Sequence, residues 1–298
     1  MADDVLLVLG AGTMGAQIAQ QAALHGVEVR LVDVDAGQLD RAAAGNRKQL
    51  DRMVEKGTLD AASADAAHAR VTRTTDLAAA AGEAGWAIEA IIEEVNAKRA
   101  AFAELDRHLP PEAGIASNSS NIVVSRLADA TSRPERCCNM HFFHPVLRMD
   151  LCEIARGPQT SDDTIARAQA WCRRMERSAI LVEREIDGFI VNRILGALSR
   201  EAFTLLDTGV ARAEDIDLAA RAGLNWPMGP FQLADFSGLD VVLGVRRDRL
   251  MREGRAGDDS TVRILERMVA AGRLGRKSGT GFYDYSTNPP APVPLPEG

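Results

Sequence analysis

Aromatic residues are scarce in this 298-residue chain, at 4%, and cysteine is scarcer still, with four. The shortage of Tyr and Trp argues against a β-sandwich, while abundant alanine favours helices and close helix-to-sheet packing. The four thiols, Cys137, Cys138, Cys152 and Cys172, are too few and too late in the chain to staple a fold of this length. A reducing compartment, the cytoplasm, is therefore expected. No apolar stretch reaches the roughly 18 residues that a membrane span needs. The short run Val5 to Leu9 follows Asp3 and Asp4, where a secretory leader would carry Lys or Arg. Positive charge is also in deficit: 35 Lys and Arg against 42 Asp and Glu give a net charge of −7. That balance argues against a nucleic-acid partner, and it means that any anionic ligand must be recognised locally.

What the sequence does have is a change of pattern partway along. The first half alternates short β-branched runs with Ala-rich helical stretches, the signature of a mostly parallel sheet covered by helices. Strands are expected at Val5–Leu9, Val27–Val32, Trp86–Ala90, Ile115–Ser117, Cys138–Phe143, Leu151–Ile154 and Ala179–Val182, with helices such as Val95–Leu105 and Asp162–Met175 between them. After Val182 the strand signal nearly disappears until Phe282–Tyr285, and Ile190, Ile194, Leu198 and Leu205 recur at helical spacing. The expected organisation is an α/β domain over 1–186, an all-α domain over 187–285, and a Pro-rich disordered tail over 286–298.

Gly10-Ala11-Gly12-Thr13-Met14-Gly15 follows the first strand and opens a helix. The first glycine permits a tight turn, the second lets backbone approach a pyrophosphate, and the third allows helix and strand to pack closely. The helix N-terminus then offers amide donors and a favourable dipole to the anion. Asp33 closes the second strand, where a carboxylate accepts from the adenosine ribose hydroxyls and repels a 2′-phosphate. The pattern predicts a Rossmann-type fold that binds NAD in preference to NADP, with Arg30 near enough to moderate the preference. A glycine turn that binds no dinucleotide, or one that binds a flavin, is the competing explanation.

Three polar clusters stand at the ends of elements: Ser117 to Asn121, His141-Phe142-Phe143-His144-Pro145 running on to Glu153, and Gly188 to Arg193. A histidine on a buried strand, a proline turn and a returning strand with one carboxylate suggest a His141–Glu153 pair across the turn. Such a pair fixes the imidazole tautomer and stabilises its protonated form, which suits a general base. Taken alone, a satisfied core histidine explains His141 equally well. His141-x-x-His144 beside the cysteines could suggest a metal. On a strand, however, an offset of three puts the two histidines on opposite faces, so no metal is expected.

With these motifs in this order the chain resembles the L-3-hydroxyacyl-CoA dehydrogenase family, from about Val5 to Tyr285. The resemblance rests on the glycine loop with Asp33, Glu89-Ala90-Ile91-Ile92-Glu93, Asn118 to Ser120, His141-Phe142-Phe143, Glu153 and Gly188 to Arg193. It extends to Pro227-Met228-Gly229-Pro230-Phe231 and to Gly275 to Gly279 before Gly281-Phe282-Tyr283. It implies NAD-dependent oxidation of a 3-hydroxyacyl-CoA to the 3-oxoacyl-CoA. His141 would take the hydroxyl proton, Glu153 would orient it, Ser120 would bond the reacting oxygen, and Asn192 would help hold the substrate. Glu93, Lys98 and Asn118 join Gly10, Gly12, Thr13, Met14, Gly15 and Asp33 as cofactor-binding candidates. At helical periodicity Asn192 lies off the Ile190, Ile194, Leu198 stripe, so it can face a cleft while that stripe packs.

The basic stretch Arg47, Lys48, Arg52, Lys56 is the candidate for CoA phosphates, with Arg52 and Lys56 on one helical face. A solvated charged face is the alternative. The resemblance also implies a homodimer through the helical domain. Three positions depart from the family pattern: His144 stands for an asparagine, Asn121 for a second serine, and Asp187 for a proline. His144, a candidate substrate contact, would oppose protonation of His141 if it were itself charged. Two rival functions are a β-hydroxyacid dehydrogenase acting on free acids and a non-catalytic NAD-binding structural protein. The first should carry a lysine where this chain has Asn192-Arg193. The second would be expected to have lost Ser120, His141 or Glu153.

Overall fold

The structure, a computed structural model, describes residues 4–252, 254 and 259–296. The chain divides into two compact units, Met1–Ile190 and Val191–Gly298. In the first unit the strands are β1 (Val5–Leu9), β2 (Glu28–Val32), β3 (Val71–Thr74), β4 (Trp86–Glu89), β5 (Gly114–Ser117), β6 (Cys137–Phe142), β7 (Leu151–Ala155) and β8 (Ser178–Val182). They form one sheet in the order β3-β2-β1-β4-β5-β6-β7-β8. Neighbouring pairs are parallel except β6 with β7, which is antiparallel. The helices are α1 (Thr13–Leu24), α2 (Ala36–Glu55), α3 (Ala61–Ala69), α4 (Leu77–Ala81), α5 (Val95–His108) and α6 (Asp162–Arg174).

The continuous apolar run of β1 follows from burial of both its faces. Leu6 and Val8 join one core with α1 and α6, whereas Leu7 and Leu9 join another with α4 and α5. All four cysteines are buried in these cores as free thiols. β3 was not among the expected strands: Val-Thr-Arg-Thr at the sheet edge is short and polar, and only Val71 is buried.

The second unit contains α7 (Val191–Asp207), α8 (Ala213–Leu224), α9 (Pro230–Ser237), α10 (Leu239–Arg252) and α11 (Ser260–Ala270). Phe203, Phe231 and Phe282 meet in its core, with ring centroids 4.7 to 5.8 Å apart. Two buried carboxylates tie its loops. Asp217 accepts from the Phe231 and Gln232 amides in the first turn of α9 and from the Tyr283 hydroxyl. Asp235 accepts from the Phe282 and Tyr283 amides and the Tyr285 hydroxyl. These contacts explain two of the sequence motifs, because a Cβ on Gly229 would fall 2.3 Å from the Asp217 carboxyl carbon and one on Gly281 only 1.9 Å from Asp235 Oδ1.

Two expectations need correction here. Ile190 and Ile194 do not pack as a stripe but are 39% and 58% exposed, while the buried residues of α7 are Ala202 and Phe203. The Pro-rich end is not structureless over 286–296. Ala291–Pro292 (β10) pairs antiparallel with Tyr283–Asp284 (β9), and the Val293 amide donates to the Phe282 carbonyl at 2.9 Å. Prolines lack an N–H but keep a carbonyl, and Arg273 and Arg267 donate to the Pro294 and Pro296 carbonyls. Residues 297 and 298 lie outside the described residues.

Candidate active site

In a parallel sheet, loops at the carboxyl ends of the strands gather on one side, and ligands bind there. The glycine loop leaves β1 at that end. Gly10, at φ +104°, lies so close to β4 that a Cβ would stand 2.6 Å from the Ala90 carbonyl oxygen, and a Cβ on Gly15 would stand 1.8 Å from that of Gly10. Gly12 differs: its φ is an ordinary −65°, and a Cβ there would meet nothing within 4 Å. The protein's own packing needs glycine at 10 and 15 but not at 12. Gly12 is also the N-cap of α1 and supplies no capping side chain, so the opening turn at Thr13 and Met14 keeps amide donors for an anion. A cradle left open over unsatisfied helix amides fits a pyrophosphate.

Asp33 is fixed at the mouth of this loop, where Oδ2 accepts from the Ala11 amide at 2.7 Å and Oδ1 from the Asp35 amide at 3.0 Å. The next residue, Val34, is 96% exposed and offers nothing to a phosphate. Arg30 does not moderate the site as expected. It stands opposite Leu7 within the sheet and reaches Glu83 at 3.3 Å and Thr72 at 3.5 Å.

His141 and Glu153 face one another across the β6–β7 pair, with Nδ1 2.8 Å from Oε2. A carboxylate can only accept, so opposite it Nδ1 acts as the donor of this hydrogen bond. Both side chains are buried. The other oxygen of Glu153, Oε1, accepts from the Ile190 amide at 3.0 Å. Phe189 lies against the imidazole at a centroid distance of 5.8 Å and Phe143 at 4.4 Å. To bring its ring and the following amide into place, Phe189 adopts φ +43° directly after Gly188 at +77°. For a bulky residue this left-handed backbone costs about 1–3 kcal/mol. The Phe189–Ile190 strap was not foreseen from sequence, because it acts through a backbone amide and a ring; the Gly188-Phe189 pair ahead of α7 was its only sign.

The loop after β5 completes the wall. Asn118 Oδ1 accepts from the Phe142 amide at 2.9 Å, leaving its NH2 for other partners. Asn121 Nδ2 donates to Ser120 Oγ at 2.9 Å, which leaves the Ser120 hydroxyl hydrogen available to a ligand. That bond gives the Asn121 departure a physical role. Beneath the loop, Lys98 Nζ lies 2.6 Å from Glu89 Oε1 and 3.4 Å from Glu93 Oε2. Glu89 also accepts from Ser117 Oγ at 2.7 Å and the Ile91 amide at 2.7 Å. Glu93 in turn accepts from Ser119 Oγ and from the Asn121 amide. In the sequence Glu89 is marked only as part of a family motif; an acid ending a buried strand nine residues before a lysine is the available signal.

Met14, Glu93, Lys98, Asn118, Ser120 and His141 line one cleft of the first unit, with the exposed His144 at its rim. Asn192 is in the first turn of α7, in the second unit. Arg52 lies in the last turn of α2, and Lys56 is the residue that caps it. Both are exposed, whereas Arg47 is engaged by Asp51 and Asp65. Among the described residues no helix is long and apolar enough to cross a membrane.

Residues 5–186 match the 3-hydroxyacyl-CoA dehydrogenase NAD binding domain, and residues 188–285 match the C-terminal domain of the same family. The chain is 39% identical over 283 residues to a probable 3-hydroxybutyryl-CoA dehydrogenase of Bacillus subtilis, covering 94% of this chain and 96% of that one. It is 40% identical over 289 residues to a 3-hydroxybutyryl-CoA dehydrogenase of Bradyrhizobium diazoefficiens, covering 96% and 97%. Among solved structures, the (S)-3-hydroxybutyryl-CoA dehydrogenase PaaH1 from Ralstonia eutropha superimposes with a TM-score of 0.87 at 37% identity, over 96% of this chain and all of that one.

Proposed function

The chain belongs to the 3-hydroxyacyl-CoA dehydrogenase family, NAD-dependent enzymes that oxidise 3-hydroxyacyl-CoA thioesters, and from its geometry we propose that His141 is the base that takes the hydroxyl proton. The observation that carries this reading is the buried His141–Glu153 pair, 2.8 Å apart, with His141 lining the cleft that Met14 of the glycine loop also borders. Glu153, held by the Ile190 amide, keeps Nδ1 protonated and offsets the charge that the imidazole acquires. Ser120, its oxygen occupied by Asn121, donates its hydroxyl to the reacting oxygen. Asn118 offers its amide NH2 to the bound ligands. NAD, held by the amides around Gly12 and by Asp33, supplies the hydride acceptor. Asn192 contributes to holding the substrate, and the exposed Arg52 and Lys56 meet the CoA phosphates.

The names of the relatives make a short 3-hydroxybutyryl thioester the first substrate to try. Four buried thiols suit a reducing cytoplasm. A homodimer through the second unit is supported by where apolar surface lies. Of thirteen large apolar side chains left exposed among the described residues, eight belong to that smaller unit: Ile194, Val210, Leu218, Leu224, Phe236, Val241, Val245 and Met251.

NADH formation from a panel of 3-hydroxyacyl-CoA thioesters and the matching free acids tests the reading. Thioesters should turn over and free acids should not, and His141→Gln should lower kcat by about 10²–10⁴. Full activity in that variant would remove His141 from the mechanism. Turnover of free acids alone would overturn the substrate class.

A further inference from the structure

Glu93 and Lys98, cofactor-binding candidates from the resemblance, form part of the cleft wall, and Glu89 lies buried behind them; the proton transfer proposed above uses none of the three. Two carboxylates against one ammonium leave one formal negative charge. Glu89 and Lys98 are sealed, with side chains 0% and 1% exposed, whereas that of Glu93 is 42% exposed. The uncompensated charge therefore resides at the cleft surface, on Glu93, whose oxygens are held by Ser119, Asn121 and Lys98.

Oxidation of a 3-hydroxyacyl thioester breaks the C3–H and O–H bonds and forms C=O. The hydride neutralises a nicotinamide ring that is positive when oxidised, and the proton makes the imidazole of His141 positive. One positive charge disappears from the ring and one appears on the histidine. Ring and imidazole must occupy the same cleft, because hydride and proton leave atoms one bond apart. Two carboxylates stand at this cleft: Glu153 against His141, and Glu93 on the cleft wall outside the His141 network.

Resting on the function proposed above, we propose that Glu93, backed by the buried Glu89–Lys98 pair, and Glu153 form a charge balance that sets the equilibrium between bound reactants and bound products. Glu93 favours the oxidised cofactor, and Glu153 favours the protonated imidazole. Glu89 is a positioning residue in this arrangement. It neutralises Lys98, so that the ammonium orients Glu93 without cancelling it.

The test uses the full-length protein, its Glu93→Gln, Glu93→Asp and Glu153→Gln variants, and two readouts. Calorimetry gives the dissociation constants of NAD⁺ and NADH. Reduced-nicotinamide absorbance, with protein in excess over 3-hydroxybutyryl-CoA and cofactor, gives the bound equilibrium. Glu93→Gln should weaken NAD⁺ relative to NADH by about tenfold, equivalent to about 30 mV for a two-electron couple. It should also move the bound equilibrium toward NADH, and Glu93→Asp should restore both. Glu153→Gln should move the bound equilibrium the opposite way, toward NAD⁺, even as it slows the approach. Damage to packing alone would not produce shifts of opposite sign. Shifts of the same sign, or an unchanged NAD⁺/NADH ratio in Glu93→Gln, would overturn the proposal. Failure of the underlying function looks different: the unsubstituted protein would make no NADH from any thioester, and the charge balance would fall with it.

Discussion

Gly12 and Gly15 share a loop but answer to different demands. A methyl group on Gly15 collides with the Gly10 carbonyl at 1.8 Å, whereas one on Gly12 enters open space that only a ligand would fill. Gly15→Ala should therefore lose several kcal/mol of stability. Gly12→Ala should unfold within about 0.5 kcal/mol of the parent and yet bind NAD at least tenfold more weakly. Urea denaturation and calorimetry on the two variants check both halves, and equal stability losses would remove the distinction. Legibility at this scale follows the same division. The His141–Glu153 pair could be read because a short connection, residues 143–150, between two antiparallel strands brings near neighbours in sequence to face each other. Glu89 and the Phe189–Ile190 strap could not, since a carboxylate bonded to Ser117 and Lys98 and an amide bonded to Glu153 are through-space facts with no periodicity to reveal them.

Among the elements, α9 and the β9–β10 pair depend on acids that belong to other segments. Burial pushes the Asp235 carboxyl up to about 6, against its hydrogen bonds to Phe282, Tyr283 and Tyr285, which pull it down. Burial likewise raises Asp217. The folded form of Asp235 therefore holds its proton over a range in which the unfolded chain has released it, so the stability this group contributes is present near pH 4 and is lost as pH rises through about 6. In urea denaturation, Asp235→Asn should be less stable than the parent, since an amide cannot accept all three donors, and the deficit should be larger at pH 4 than at pH 7. A deficit independent of pH would mean that Asp235 titrates normally. The glycine and aromatic motifs around these acids were visible in the sequence, but their purpose was not, because the carboxylates they surround are far away along the chain. β3 and the Pro-rich end escaped for a related reason: each is held by an edge that supplies donors or acceptors rather than by its own apolar pattern.

For the whole molecule, the two-part organisation was legible because strand alternation stops near Val182 and helical spacing takes over. The surface of the second unit was less so. Helical periodicity in Ile190, Ile194 and Leu198 reads the same whether a stripe packs inward or faces a partner, and here Ile194 is exposed. If a second copy covers this unit, replacing Val241 and Val245, one turn apart on α10 and each more than half exposed, with Asp should yield monomers. Sedimentation should then report 32.0 kDa rather than twice that mass. Sedimentation of the unsubstituted protein as a monomer would remove the dimer.

The strap that grips both Glu153 and His141 has a consequence for handedness. With Nδ1 committed to Glu153, Nε2 is the nitrogen left to accept a proton, and the ring that presents it lies against Phe143 and Phe189. If His141 is the base, base and hydride acceptor act within one cleft, and the thioester arm would supply a third point of attachment. A carbon that must direct its hydrogen to one, its oxygen to the other and its acyl arm along the third can do so in only one mirror form. Given a racemic 3-hydroxyacyl thioester and an efficient trap for the 3-oxo product, NADH formation should stop at half of the substrate. Consumption of both halves would show that the imidazole is free to turn.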